Sequence, residues 1–171
     1  MQHEDFLEFN PFRGLDPFSG RRLNTPQFLK VIAPAAMRIK WDKSFDLGIP
    51  EFDAEHRELV ETFNQLVEAW QAGGGFVEPA IIINELTGKF RYHATREENL
   101  LADHGYPDLE DHRRDHDDFV RAFEDLERRI LADGALDLKD GTLRALGDRL
   151  VRHTKGDDAD AVAFLKEKRK G

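Results

Sequence analysis

The residues of this sequence that could bind a metal ion are histidines and carboxylates spaced one helical turn apart. His93 and Glu97 are four positions apart, and so are His112 and His116. On a helix with about 3.6 residues per turn, side chains four positions apart lie on the same face. Each pair can therefore present two ligands to one ion with little additional ordering.

Further candidates extend this pattern to both sides along the chain. His56 comes before the two pairs, and His153 comes after them, followed closely by Asp157 and Asp158. Several buried imidazoles and carboxylates would each carry a desolvation cost without a compensating ion. Five imidazoles and two carboxylates are instead a ligand set for two transition-metal ions, and imidazole with carboxylate suits iron better than magnesium or calcium.

Composition excludes several other classes of site. The 171 residues include no cysteine, which excludes disulfides, iron–sulfur clusters and thiol catalysis. The net charge of −9 repels phosphate backbones, so we expect no nucleic-acid partner. No apolar run approaches the ~20 residues of a membrane span, and no signal segment opens the chain, so we expect a cytoplasmic protein without membrane insertion.

Apolar residues at helical spacing predict four amphipathic helices that would carry these candidates. Asp53 is predicted to be the N-cap of the first helix, which ends at Gly73. The other three are predicted over about 78–105, 109–131 and 139–168. Helices of similar length joined by short loops predict an all-α, antiparallel up-down-up-down four-helix bundle.

Residues 1–36 have a different character from the bundle predicted over residues 37–171. They contain four of the seven prolines and five of the 13 phenylalanines, without helical or strand periodicity. We interpret them as an N-terminal extension that is either an irregular leader or an arm whose aromatic side chains dock on a protein partner. A start of translation at Met37 is a third interpretation.

Several short runs resemble the bacterial hemerythrins, in order and in approximate spacing. The resemblance covers about residues 37–170 and is strong only in combination. The runs are Trp41…Gly48-Ile49…Asp53-Ala54-Glu55-His56, then His93-Ala94-Thr95-Arg96-Glu97-Glu98, then Tyr106-Pro107, then His112-x-x-x-His116, and finally His153 followed by Asp158.

This resemblance implies a function and a set of roles. The protein would be a non-enzymatic, non-heme di-iron protein that binds dioxygen reversibly for storage, delivery or sensing. One iron would be held by His112, His116 and His153, and the other, with an open position for dioxygen, by His56 and His93. Glu97 and Asp158 would bridge the two ions, together with an oxo or hydroxo group.

The choice of Asp158 as a bridge conflicts with regular helix geometry. At 100° per residue, Asp157 would lie about 40° from His153 around the helix and Asp158 about 140° away. The family pattern favours Asp158, and Gly156 would allow a local bulge that turns it inward. We therefore predict Asp158 as the ligand.

The predicted dioxygen pocket departs from the family pattern at most positions. Leu59 fits it, but Ala94 stands where the family has an aromatic residue, Arg149 where it has tryptophan, and Thr154 where it has a bulky apolar residue. A more polar pocket would admit water and protons and so favour loss of bound dioxygen as peroxide.

Two interpretations of this departure stay open. In one, the pocket is altered and Arg149 assists a di-iron peroxidase or another peroxide-handling enzyme. In the other, side chains such as Phe90 or Phe123 refill the space. A redox- or iron-sensing interaction module, in which residues 1–36 contact a partner, is a further alternative function.

Overall fold

Every regular element of the described residues is helical. The computed structural model describes residues 37–73, 75–133 and 141–169, and no strand occurs within these ranges. A 3-10 turn at Lys43–Phe45 precedes five helices: α1 (Pro50–Ala72), α2 (Val77–Asp103), α3 (Leu109–Asp133), α4 (Gly141–Lys155) and α5 (Asp157–Lys168). The predicted extension over residues 1–36 lies outside the described residues, so its boundary and its docking role stay predictions.

Contacts between helices show that consecutive helices run in opposite directions. His56, near the start of α1, contacts His93 late in α2 at 3.1 Å. Further along α1, Thr62 accepts a hydrogen bond from Lys89, which lies earlier in α2. The same reversed order relates α2 to α3, and α3 to α4, where Asp115 contacts His153 and Phe119 contacts Arg149. The predicted all-α, antiparallel four-helix bundle is confirmed, with α4 and α5 together forming its fourth arm.

The first helix begins before the predicted cap. α1 starts at Pro50, whose ring fixes a backbone angle suited to the first turn. Asp53 therefore lies inside the helix, and the predicted N-cap role is wrong. Its carboxylate instead accepts hydrogen bonds from the backbone N–H groups of Leu47 (2.6 Å) and Gly48 (3.0 Å), which secures the turn that leads into α1.

The fourth arm, predicted over about 139–168 with a local bulge at Gly156, is interrupted at that glycine and forms two helices. The Gly156 N–H donates to the carbonyls of Arg152 (2.9 Å) and His153 (3.2 Å), and the chain then restarts as α5. A Cβ atom at this position would lie 2.8 Å from the Arg152 carbonyl oxygen. Because only glycine avoids that contact, the interruption is encoded locally, and it sets the rotation of α5 relative to α4.

Buried apolar side chains form two clusters along the bundle. The larger includes Leu59, Phe90 and Phe119, and the smaller includes Phe52 and Leu101. On α1, His56 lies between Phe52 and Leu59, and on α2 His93 and Glu97 lie between Phe90 and Leu101. The candidate ligands therefore occupy a polar layer between two apolar clusters. No described helix is long and apolar enough to cross a membrane.

Candidate metal centre

The seven predicted ligands all lie in this polar layer, and every arm of the bundle contributes at least one of them. None of the seven is more than 5% exposed. They are His56 on α1, His93 and Glu97 on α2, His112 and His116 on α3, His153 on α4 and Asp158 on α5.

The five histidines form two groups, His56 with His93, and His112 with His116 and His153. Asp158 lies between these two groups. One carboxylate oxygen is 3.1 Å from His56 Nε2, and the other is 3.0 Å from His153 Nε2. Asp157, in contrast, is exposed and approaches only the outer nitrogen of His153, at 3.3 Å. The break at Gly156 accounts for this choice, because it changes the rotation of the helix between His153 and the two aspartates.

Glu97 also reaches towards both groups of histidines. Its Oε2 atom lies 3.0 Å from His112 Nε2, 3.6 Å from His116 Nε2 and 3.7 Å from His93 Nε2. The two acidic side chains therefore stand among five imidazoles, and each can bridge ions bound by different histidines.

The inner nitrogens of the histidines face one another at short range. His116 Nε2 and His153 Nε2 are 3.0 Å apart, and His56 Nε2 and His93 Nε2 are 3.1 Å apart. Two nitrogen ligands bound at right angles, each about 2.1 Å from one ion, lie about 3.0 Å apart. These pairs therefore have the separation expected of neighbouring ligands of one metal ion.

The two buried carboxylates of the layer, Glu97 and Asp158, favour a positive charge at its centre. Burial, with the charges of His153 and His112, lowers the pKa of His116 to about 2, so its ring is neutral. Burial opposes the charged form of His153, yet Asp158 and Asp115 raise its pKa well above the usual value. A bound cation would balance the buried carboxylates and take the place of a proton on these nitrogens.

Several buried polar atoms of the layer have no hydrogen-bond partner among the described residues. They are His56 Nδ1, Glu97 Oε1 and both carboxylate oxygens of Asp158, which lie close to histidine nitrogens but without hydrogen-bond geometry. Such orphaned atoms are rare in folded proteins because each carries a desolvation cost. The ligand atoms of His112, His116, His153 and Asp158 all lie within 4.8 Å of one another. Imidazole and carboxylate so arranged fit a transition-metal ion such as iron.

Three carboxylates outside this layer hold the outer nitrogens of three of the histidines. None of them is among the ligands predicted from the sequence. Each is the immediate sequence neighbour of a predicted ligand, so its side chain is offset from that ligand by about 100° around the helix. Three N–H donations result: His93 to Glu55 (3.0 Å), His116 to Glu98 (2.8 Å) and His153 to Asp115 (2.8 Å). These bonds leave each inner Nε2 free to bind a metal.

Three of the four residues predicted for the dioxygen pocket are buried, and the fourth is not. Leu59, Ala94 and Thr154 are each at most 6% exposed. The Arg149 side chain is 28% exposed, and its guanidinium pairs with Asp115 at 2.6 Å. Arg149 is thus bound to a carboxylate, which removes one of the observations behind the peroxide-handling interpretation, while the polar Thr154 remains buried beside His153.

Phe90 supplies much of the apolar surface next to the histidines. Its ring centre lies 5.6 Å from that of His116, 6.2 Å from that of His153 and 6.4 Å from that of His93. It also packs on Phe119 at 4.8 Å. The interpretation in which phenylalanines refill the space therefore agrees with the packing.

The chain is similar in sequence to known hemerythrins. Residues 47–165 match the family model described as "Hemerythrin HHE cation binding domain". The chain is 31% identical over 122 residues to a bacteriohemerythrin of Pseudomonas aeruginosa, covering 71% of this chain and 78% of the relative. It is 34% identical over 87 residues to a bacteriohemerythrin of Clostridium acetobutylicum (49% and 67%), and 24% identical over 121 residues to a myohemerythrin of Theromyzon tessulatum (70% and 87%).

Proposed function

Since this chain belongs to the hemerythrin family, we propose that it binds dioxygen reversibly at two non-heme iron ions, as a storage, delivery or sensing protein and not as an enzyme. Members of the family are di-iron, oxygen-binding proteins. The observation that carries the proposal is the layer of five imidazoles and two carboxylates, all buried, with inner nitrogens spaced as ligands of a common ion.

The proposed division of ligands follows the two groups of histidines. His112, His116 and His153 hold one iron, while His56 and His93 hold the other. Glu97 and Asp158 bridge them, which agrees with the approach of each carboxylate to histidines of both groups. The ion held by His56 and His93 would have fewer protein ligands, and dioxygen would bind there.

The protein's own residues make the environment in which such binding is reversible. When bound, the two ferrous ions supply the two electrons that dioxygen binding requires. Leu59, Phe90 and Ala94 belong to the apolar cluster on one side of the layer. A dry apolar boundary limits access of water and protons, and so slows irreversible oxidation of the site.

An optical experiment on the iron-loaded protein tests this proposal. The protein is reduced without oxygen, exposed to air, and then returned to an oxygen-free atmosphere while its visible spectrum is recorded. We expect a visible absorption band that appears with oxygen and disappears on its removal, with two iron ions bound per chain.

Two other outcomes would contradict the proposal in different ways. Direct conversion to a stable diferric spectrum would keep the metal site but refute reversible binding, and would favour peroxide handling. Failure to bind iron at all would refute the ligand assignment. Loading His104→Ala in parallel is the control, because the His104 side chain donates to the backbone carbonyl of Leu100 at the end of α2 and lies outside the layer of candidate ligands.

A further inference from the structure

Three histidines of the site share one outer arrangement, repeated at each junction between consecutive arms of the bundle. In every case the imidazole Nδ1–H donates to a carboxylate from the preceding helix. An arginine from the histidine's own helix, one turn away, binds the same carboxylate. One carboxylate oxygen serves the histidine and the other serves the arginine. We call each such set of histidine, carboxylate and arginine a clamp.

The first clamp joins α1 to α2. Glu55 of α1 uses Oε2 to accept from His93 Nδ1 at 3.0 Å and Oε1 to bind Arg96. Arg96 follows His93 by three positions on α2, so both side chains lie on the face turned to α1. The Glu55 side chain is only 14% exposed, which limits competition from water.

The second clamp joins α2 to α3. Glu98 of α2 uses Oε1 to accept from His116 Nδ1 at 2.8 Å, and its Oε2 lies 3.4 Å from Arg113 Nε. Arg113 precedes His116 by three positions on α3. The same arginine also binds Glu110, at 2.8 Å, so Arg113 is paired with two carboxylates and not with Glu98 alone.

The third clamp joins α3 to α4 and is the best suited to a test. Asp115 Oδ2 lies 2.8 Å from His153 Nδ1, closer than Asp157 Oδ2 of α5 at 3.3 Å, and Asp115 Oδ1 accepts from Arg149 at 2.6 Å. Arg149 precedes His153 by four positions on α4, and its guanidinium lies over the ring of Phe119, 4.2 Å from the centroid. This stacking fixes the arginine independently of its ion pair.

We propose that these clamps are the positioning elements of the iron site. In each, the arginine holds the carboxylate against the outer nitrogen of a histidine ligand, so that the inner nitrogen keeps the orientation needed to retain iron. The inference rests on the proposed di-iron function, and it assigns a positioning role to Arg149, Arg96 and Arg113.

The clamps can influence the iron site because each carboxylate is shared between a histidine donor and an arginine donor. A carboxylate on Nδ1–H makes the imidazole a stronger donor to the metal and fixes the ring orientation. The arginine opposes part of that effect by drawing negative charge to the second oxygen. Removal of the arginine and removal of the carboxylate's charge should therefore change the iron site in opposite electronic directions.

The test compares Arg149→Gln with Asp115→Asn in the iron-loaded, full-length protein. Two quantities are measured: the rate at which a chelator extracts iron, and the midpoint potential of the site. We expect extraction to become about tenfold faster in Arg149→Gln, within the range for lost support of a metal ligand. The potential should fall in Arg149→Gln and rise in Asp115→Asn.

Two further variants separate the clamp from general effects of charge and folding. Arg152→Gln removes an exposed positive charge next to His153 outside any clamp, and should leave extraction and potential as in the wild type. Arg149→Lys keeps a cation near Asp115 and should restore slow extraction. Arg149→Gln behaving like Arg152→Gln, or both clamp variants shifting the potential in the same direction, would overturn the clamp proposal. Wild-type protein that fails to retain two irons would instead refute the di-iron function.

Discussion

A shift of a single residue along a helix separates a candidate ligand from a carboxylate that supports a ligand on the next helix. Glu97 is fully buried in the layer of histidines, whereas its neighbour Glu98 receives the outer N–H of His116. The same contrast relates His56 to Glu55. Successive side chains on a helix differ by about 100° in direction, so one points to the bundle axis and the next points along the interface with a neighbouring helix.

Glycines of the helices illustrate how the cost of one methyl group depends on its surroundings. A Cβ at Gly147 in α4 would lie 2.9 Å from two ring carbons of the buried Phe63. We expect Gly147→Ala to lower the free energy of unfolding by about 1–2 kcal/mol, because overpacking exceeds the gain in helix propensity. Denaturant unfolding of the iron-loaded protein measures this change.

Gly88→Ala is the matched control for that substitution. Gly88 lies in α2 and is exposed, and a Cβ added there would meet no atom within 4 Å. Here the alanine should raise the free energy of unfolding by about 0.4–1 kcal/mol, through helix propensity and reduced freedom of the unfolded chain. Equal effects of the two substitutions would contradict the close packing of α4 on Phe63.

At the scale of the element, the division of the fourth arm decides which aspartate enters the site. A continuous helix from His153 would carry Asp157 inward and Asp158 outward. The break at Gly156 reverses this, since Asp158 is fully buried and the Asp157 side chain is 60% exposed.

This division predicts a metal-binding defect at a residue that touches no metal. In Gly156→Ala, the new Cβ would lie 2.8 Å from the backbone oxygen of Arg152, so the start of α5 must move and Asp158 with it. We expect the iron content to fall below two per chain, as measured by metal analysis after desalting. Gly141→Ala in α4, where a Cβ meets nothing within 4 Å, is the control and should retain full iron.

At the scale of the molecule, the site joins all arms of the bundle through groups that are costly to bury alone. The layer places two carboxylates and five imidazoles between two apolar clusters. A bound cation satisfies these groups together, so metal binding and folding stability are linked.

Loss of the metal should therefore lower stability, and one ligand substitution should reproduce the effect. A free metal concentration about 1,000-fold above Kd adds about 4 kcal/mol to the free energy of unfolding. Each kcal/mol shifts Tm by about 2–4 °C in a chain of this size. We expect iron removal to lower Tm by about 10 °C, and His112→Ala to lower iron content and Tm together. Calorimetry with parallel metal analysis measures both quantities.

The same experiment on His104→Ala controls for the loss of an imidazole as such. His104 donates to the Leu100 carbonyl at the end of α2 and lies outside the layer. Its iron content should equal that of the wild type. An unchanged metal count in His112→Ala would refute the assignment of His112 as a ligand.

Local spacing along the sequence determined the helical bundle and the candidate ligands. Helix formation and the direction of side chains on one helix depend on residues within one or two turns, so pairs such as His93 and Glu97 are visible without a structure. The family resemblance then suggested Asp158, which regular helix geometry alone disfavoured.

Other features were decided only by the tertiary structure. The partnership of Asp115 with His153 and Arg149, the direction of Arg149 away from the predicted pocket, and the packing of Phe90 against the histidines all join different helices. Contacts of this kind depend on how the helices are rotated against one another, and the break at Gly156 changes that rotation within the fourth arm. The order of residues in a sequence does not specify how one helix is rotated relative to another. The clamps join residues of different helices, so they could be identified only from the packed structure.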